Sequence, residues 1–463
     1  MKTLRRCAYS AIIILSANLL PLLSVLGLRF AFAPSRLQQG CLASFCTLAL
    51  LWIVCRPQSK ARPDKRLRAL SNGCELLRLF LCSATVTSLL QVYFTYRAYL
   101  LLLPWSGFGL GSGVICAYWL FGLLGAILCE SVIFWAGMLR VYATSVQLGI
   151  KHRVMAAVCS WIPVFNICYL LKLIRLSEAE VELETEKITI NAERAETGLC
   201  KTRYPLLLVH GVFFRDFRYL NYWGRIPSEL QKNGAVIFYG EQESAASVEV
   251  CGEQLAARIR KITEETGCEK VNIIAHSKGG LDSRAAISRF GAAPLVASLT
   301  TINTPHRGCI FAEYLLGIAP ESLRRSVAKT YNTALKKLGD RSPDFLAAIK
   351  DLTETACLKR SELNPDPPGI LCESVMSCCK KAKSGRFPLN LSYPIVKHFD
   401  GKNDGLVSLE SAKWGERFTL CETGGARGIS HGDMIDLNRE NIPDFDVREF
   451  YVALVSDLKR RGC

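Results

Sequence analysis

The 463 residues predict an α/β fold, a mostly parallel sheet with helices on both faces, preceded by a bundle of transmembrane helices. Three observations predict it. Half of the residues are hydrophobic, which is high for a soluble enzyme and points toward membrane segments. Charge is divided unevenly: residues 1–176 hold 18 Lys and Arg against 3 acidic residues, and the remainder holds 39 against 38. After residue 200, short β-rich runs alternate with helical patterns at 205–209, 235–239, 271–275, 298–302, 394–399 and 416–421. The net charge of +16 therefore flanks apolar runs. Charge so placed sets topology; it does not line a nucleic-acid groove, and no nucleic-acid partner is expected.

Residues 1–176 read as a multi-pass transmembrane region of four or five helices, since a span takes about 20 apolar residues. The candidates are 8–33, 41–55, 79–104 (interrupted by Arg97), 111–139 and 154–174. The segment 56–68 carries six Lys and Arg, and Lys2, Arg5 and Arg6 precede the first candidate, which places both on the cytoplasmic side. The 30–40 and 98–110 connections are nearly uncharged, and 140–153 is basic again, so four helices are self-consistent. A fifth, over 154–174, carries Pro163, Asn166 and Lys172 and would put the rest of the chain outside the cell. Because Lys172 lies near its end and can snorkel, the reading favours five helices and an external domain. Glu130, the only charge in the fourth candidate, is expected to snorkel as well. Residues 177–199 turn acidic and polar and read as a linker, with a solvated helix as the alternative, and 200–463 form the second domain. The 20 cysteines include no pair of CxxC units, so no zinc site is expected.

The chemistry is concentrated in KVNIIAHSKGGLDSRAAI. An apolar strand, Val271 to Ala275, runs into Ser277 and then into helix-forming sequence. A serine at such a turn is held in strained backbone with its hydroxyl above the sheet, the arrangement of an α/β-hydrolase nucleophile. The neighbours two before and two after must be small, and here they are Ala275 and Gly279, giving A-x-S-x-G. The bland alternative is a βα turn with a capping serine. A second strand, in YPLLLVHGVFFRD, ends at His210–Gly211, where an oxyanion loop would open. The expected oxyanion donors are the amides of Val212 and Lys278.

The acid and base must follow in the order Ser, acid, His. His306 comes too soon after the strand SLTTIN, and His398 falls inside the apolar run YPIVKHF, read as a strand. His431 lies in a glycine-rich loop after the last strand and is the expected base. HFDGKNDGLVS offers two acids: Asp404 is favoured, in an exposed Asn-Asp-Gly turn, and Asp400 stays open. Asp282 and Arg284 read as a local ion pair.

The stretches LLLVHGV, AHSKGGLDSR, NTPHRG, NDGLVS and SHGDMIDLN, in that order, cover nearly all of 204–440. Together they resemble the true-lipase family of bacterial triacylglycerol lipases. The resemblance implies hydrolysis of lipid carboxylic esters, with Ser277 as nucleophile, Asp404 as acid and His431 as base. It also implies a helical lid drawn from 309–390. A phospholipase or acyltransferase would use the same triad, and a catalytically inactive fold serving as a membrane binding module is the reading from another class. No cofactor is implied for the chemistry. Many members hold a structural calcium between two aspartates, one of them two residues after the catalytic histidine. Asp433 stands there, but the partner's place falls in KKAKSGRFPLN, which has no carboxylate, and half a site is poor for a hard cation. The alternative for Asp433 is a carboxylate satisfying free amides at a helix start.

Overall fold

The computed structural model describes all residues except 1, 31–34, 57–61, 63, 103–109, 163, 213–221, 338 and 367. Parts of the predicted loops 30–40, 56–68 and 98–110, and Pro163, thus lie outside the described residues. The chain divides into two compact units, Met1–Ile190 and Asn191–Cys463.

The first unit is helical. Its elements are α1 (Lys2–Ala17), α2 (Leu19–Phe30), α3 (Arg36–Cys55), α4 (Lys65–Leu102), α5 (Leu110–Thr144), α6 (Ile150–Cys159) and α7 (Phe165–Arg194), the last running past the unit boundary. Three described helices are long and apolar enough to cross a membrane, over Leu37–Cys55, Lys65–Leu100 and Gly113–Thr144. α4 and α5 pack closely because glycines face each other's helix. A Cβ on Gly73 would come within 2.9 Å of Val141, and one on Gly137 within 2.9 Å of Leu77.

Several sequence expectations change here. The first candidate is two helices of 16 and 12 residues meeting at Asn18, whose amide donates to Thr87 Oγ1 at 3.3 Å and whose carbonyl accepts from Gln91 at 3.0 Å. Residues 154–174 do not form one helix, because α6 stops at Cys159 and α7 starts at Phe165. Glu130 does not snorkel. It is buried, and its oxygens accept from Ser83 at 2.8 Å and Thr87 at 3.0 Å, so two hydroxyls supply what water would. The acidic stretch expected as a linker continues α7 as far as Arg194. Its Glu180 is buried and takes Arg66 at 2.6 Å, Ser145 at 2.6 Å and the amides of Val146 and Gln147 at 3.1 and 3.2 Å. Glu178 pairs with Arg78 as well, whereas Glu182, Glu186, Glu193 and Glu196 are exposed.

The second unit carries the sheet. Its elements are β1 (Leu206–Val209), α8 (Ile226–Lys232), β2 (Ile237–Tyr239), α9 (Val248–Thr266), β3 (Val271–His276), α10 (Lys278–Ser288) and β4 (Val296–Ile302). Four helices follow, α11 (Ile310–Ile318), α12 (Glu321–Lys337), α13 (Phe345–Lys350) and α14 (Glu354–Leu363). The chain ends with β5 (Leu371–Ser377), α15 (Leu389–Asp400), α16 (Leu409–Ala412), β6 (Arg417–Cys421) and α17 (Val447–Arg460). The six strands are parallel in the order β2-β1-β3-β4-β5-β6. Alternation sends Leu206 and Leu208 to the face under α8 and α17, and Leu207 and Val209 to the face under α9 and α10. Each fully buried side chain of this size contributes about 1.5–3 kcal/mol. α9 is delimited by local chemistry: Ser247 caps its first turn through Val250 N–H, and Gly267 closes it at φ 68°.

Strand order reverses at β1, which lies between β2 and β3, so the connections leaving β1 and β3 diverge to opposite faces. A crevice opens beyond their carboxyl ends, where sheets of this kind place their ligands. Two expectations are corrected. Residues 394–399 belong to α15, where only Tyr393 and Val396 are buried; burial three residues apart is a helix face. The insert expected over 309–390 stops short of that range, because 371–377 is a central strand of the sheet.

Candidate active site

Ser277 stands between β3, buried throughout, and α10. Its backbone is at φ 56°, ψ −131°, a left-handed φ that a non-glycine residue reaches at a cost of about 1–3 kcal/mol. Backbone bonds hold it there. Its N–H donates to Ile302 C=O at 2.9 Å, and its C=O accepts Thr304 Oγ1 at 2.8 Å and Gly280 N–H at 3.1 Å. Strand and helix approach too closely for larger residues nearby. A Cβ on Gly279 would lie 2.4 Å from His210 C=O, and one on Gly211 would lie 2.8 Å from the Ser277 Cβ.

Asp404 and His431 come together on the loops after α15 and β6. His431 Nδ1 donates to Asp404 Oδ2 at 2.7 Å, and His431 N–H donates to the Asp404 carbonyl at 2.9 Å. The carboxylate is fully buried and fixed by its own turn, since Oδ1 accepts the amides of Leu406 and Val407 at 2.9 and 2.8 Å. With Nδ1 so engaged, Nε2 is the His431 nitrogen left for chemistry. Asp400, the alternative acid, ends α15 instead. Burial pushes its carboxyl above the ordinary range, and the backbone groups of Phe311 and Ile310 counter that rise.

Sequence reasoning missed the supports of this pair. Asn303, at φ 50° just past β4, donates to Asp404 Oδ2 at 2.6 Å and to Ser377 Oγ at 2.8 Å, tying the acid to the end of β5. His276 lies behind the base, its ring centroid 4.5 Å from that of His431, and it shares a 2.7 Å hydrogen bond with Tyr222 Oη. Complete burial drives its pKa well below the usual imidazole value, as does the neighbouring His431. It is neutral, so a cation forming on His431 meets no second charge there. The signals were present in sequence, as the residue before Ser277 and the Asn of NTPHRG, but contact partners were not.

The remaining candidates are placed as follows. The Lys278 amide opens α10 beside Ser277, and its side chain, fully buried, binds Asp282 at 2.6 Å. Val212 lines the same cavity as Ser277, and residues 213–221, which follow it in sequence, lie outside the described residues. Asp282 therefore pairs with Lys278, and Arg284 pairs with Asp366 at 3.2 Å, so the expected Asp282–Arg284 pair is corrected: spaced four apart on one helix, 278 and 282 face each other. His306 is buried, stacked on Trp414 with centroids 4.5 Å apart, and bonded to Thr301. His398 is exposed on α15.

Asp433 does not serve a run of free helix amides alone. Its Oδ2 accepts Ser430 N–H at 2.8 Å and Oγ–H at 2.7 Å, and Arg427 Nη2 stands 3.0 and 3.2 Å from its two oxygens. Arg427 also reaches Glu440 at 3.3 Å, and Glu440 pairs with Arg386. Two guanidinium groups among these carboxylates repel a divalent cation, so the residues do not fit the calcium that the resemblance implies. Among the described residues, no group of three or more His, Cys, Asp or Glu could hold a metal ion.

Ser277, His431 and Val212 open onto one cavity of about 720 Å³, roofed by Phe311, Leu315, Leu316 and Val327 of α11 and α12 and by Ile349 of α13. Such a wall suits an alkyl chain. It can bind apolar matter next to the Ser277 hydroxyl and the His431 ring, and that pairing is what the site offers chemically.

Comparison with known proteins agrees in kind. Residues 207–339 match the family described as "Putative serine esterase (DUF676)". A triacylglycerol lipase of Pseudarthrobacter phenanthrenivorans is 38% identical over 176 residues, covering 35% of this chain and 54% of that protein. Triacylglycerol lipase 2 of Saccharomyces cerevisiae is 28% identical over 265 residues, covering 52% and 74%. The chain thus spans about half the length of the bacterial relatives it matches. Among solved structures, a Staphylococcus hyicus lipase aligns at TM-score 0.44 and 18% identity, covering 56% of this chain and 96% of that one.

Proposed function

We propose that residues 191–463, an α/β-hydrolase domain similar over part of its length to triacylglycerol lipases, hydrolyse carboxylic esters of lipids through an acyl-enzyme on Ser277. The observation that carries the reading is the 2.7 Å bond from His431 Nδ1 to buried Asp404, with His431 and Ser277 on the wall of one apolar cavity. In the first step Ser277 Oγ attacks the ester carbonyl carbon while His431 Nε2 takes its proton. Asp404 holds the imidazole tautomer and stabilises the imidazolium. The amides of Val212 and Lys278 receive the oxyanion, and Lys278, first in α10, adds the positive end of the helix dipole. Collapse breaks the ester C–O bond, and His431 returns its proton to the departing alcohol. Water then attacks the acyl-enzyme with His431 again as base, and the fatty acid leaves.

A fluorophosphonate probe tests this directly, because it forms a stable bond only with an activated serine. The wild-type protein should label and Ser277→Ala should not. An unlabelled wild type would mean that the fold serves as a binding module.

The first unit holds the enzyme to a membrane in this proposal, as a multi-pass anchor. Three of its spans are α3, α4 and α5; we read the α1–α2 stretch, 28 residues of helix interrupted only at Asn18, as a fourth, whereas five residues separate α6 from α7, which argues against a fifth. The basic N-terminus and the basic 56–68 segment are cytoplasmic, and an even number of spans returns the chain to that side. An epitope added after Cys463 should be stained only once cells are permeabilised. Staining of intact cells would show that 154–174 crosses the bilayer and that the domain is external.

A further inference from the structure

Among the described residues the cavity wall is apolar apart from a few groups, and two of those are arginines, Arg324 and Arg386. They differ in kind. Arg386 pairs with Glu440, as Arg284 pairs with Asp366 and Arg360 with Asp351. Among the described residues Arg324, on α12, has no carboxylate partner. Its Nη1 donates to the Leu316 carbonyl at 3.0 Å, and its Nε is buried with no hydrogen-bond partner among the described residues. Holding a guanidinium against apolar matter without an anion is unfavourable, since the lost hydration is not replaced. Yet this one is held on the wall that also carries Ser277 and His431. The side chain is half-buried, and a ligand in the cavity could bring an anion to the part of the guanidinium that lines the wall.

We infer that Arg324 binds the phosphate of the substrate, and that the ester cleaved is that of an anionic glycerophospholipid. This rests on the reading of Ser277 as nucleophile and names the substrate class it serves. A glycerophospholipid carries an alkyl chain for the apolar wall and, a few bonds from the scissile ester, a phosphodiester that a planar guanidinium receives in a forked geometry. A triacylglycerol has ester carbonyls but no anionic group to offer Arg324. The rest of α12 fits the same chemistry. Besides Arg324 it carries Arg325, Lys329, Lys336 and Lys337 against one acidic residue, Glu321, so the helix that roofs the site favours a negatively charged lipid surface.

The test measures kcat/KM for dioleoylphosphatidylglycerol and dioleoylglycerol at equal mole fraction in neutral-detergent micelles, using the full-length protein. The wild type should prefer the phospholipid. Arg324→Gln should lower the ratio of the two by about 10- to 100-fold, the loss of a charge-assisted bond, and Arg324→Lys should restore part of it. A wild type that prefers the diacylglycerol overturns the inference even if no variant folds, and so does an unchanged ratio in Arg324→Gln. If only inhibition by added oleate is relieved in Arg324→Gln, the guanidinium serves the product carboxylate and the assignment falls. Turnover of p-nitrophenyl butyrate separates the two levels of argument, since its absence in the wild type counts against Ser277. In that case binding of soluble dihexanoylphosphatidylglycerol still decides: a Kd raised about tenfold by Arg324→Gln supports the site, and an unchanged Kd removes it.

Discussion

Replacing Ser277 by alanine should abolish ester hydrolysis and leave the domain folded. Every bond that holds the strained turn is made by the backbone of residue 277, to Ile302, Thr304 and Gly280, so removing the hydroxyl breaks none of them. Far-ultraviolet circular dichroism should therefore be unchanged while p-nitrophenyl ester turnover falls. Nucleophile and base act as a unit, so His431→Ala should cost a comparable amount, on the order of 10⁴-fold or more in kcat. Turnover by Ser277→Ala near the wild-type rate would move the nucleophile elsewhere.

Asp404→Asn should be nearly as damaging, by roughly 10⁴-fold, as in other serine–histidine–aspartate sites. The surroundings explain why relaxation cannot rescue it. The Leu406 and Val407 amides demand an acceptor at Oδ1, so an asparagine must place its carbonyl there and its NH₂ toward His431. That NH₂ also faces the Asn303 amide, which donates to the same corner. The imidazole is then forced to accept at Nδ1, and the proton moves to the nitrogen that should receive one from Ser277. Asp400→Asn should change kcat less than about tenfold, because its contacts are the backbone groups of Ile310 and Phe311 at the start of α11 and not His431. Steady-state kinetics of the two variants checks the ranking, and the reverse order would reassign the acid.

What could be read in advance followed from local pattern. The run from Val271 to Ala275 into Ser277 announced a strand and a sharp turn, because every residue of β3 is buried and a small residue was needed on each side. Strand β5 was not legible, since LCESVMS places Glu373 and two serines in what is an interior strand. Glu373 is tolerated there because Thr300 bonds it at 2.9 Å and Arg417 and Arg461 neutralise it at 2.8 and 3.1 Å. Those partners come from distant parts of the chain, and no window of sequence contains them. The error at 394–399 was one of period: a short apolar run fits strand or helix equally until burial of Tyr393 and Val396 separates them. His431 could be named from its loop, whereas Asn303, Tyr222 and His276 act only through approach in space.

The roof of the cavity is a single stretch of chain. Helices α11 to α14 all lie between β4 and β5, whereas Ser277 follows β3, Asp404 lies between β5 and β6, and His431 follows β6. Much of the apolar wall is therefore inherited apart from Ser277, Asp404 and His431, and replacing 310–363 could reshape that part of the pocket in a single step. The rest of the wall, Arg386 to Leu389, Leu406 and Leu437 among it, is carried on the stretches that hold Asp404 and His431, and selection there would have to alter pocket and polar residues together.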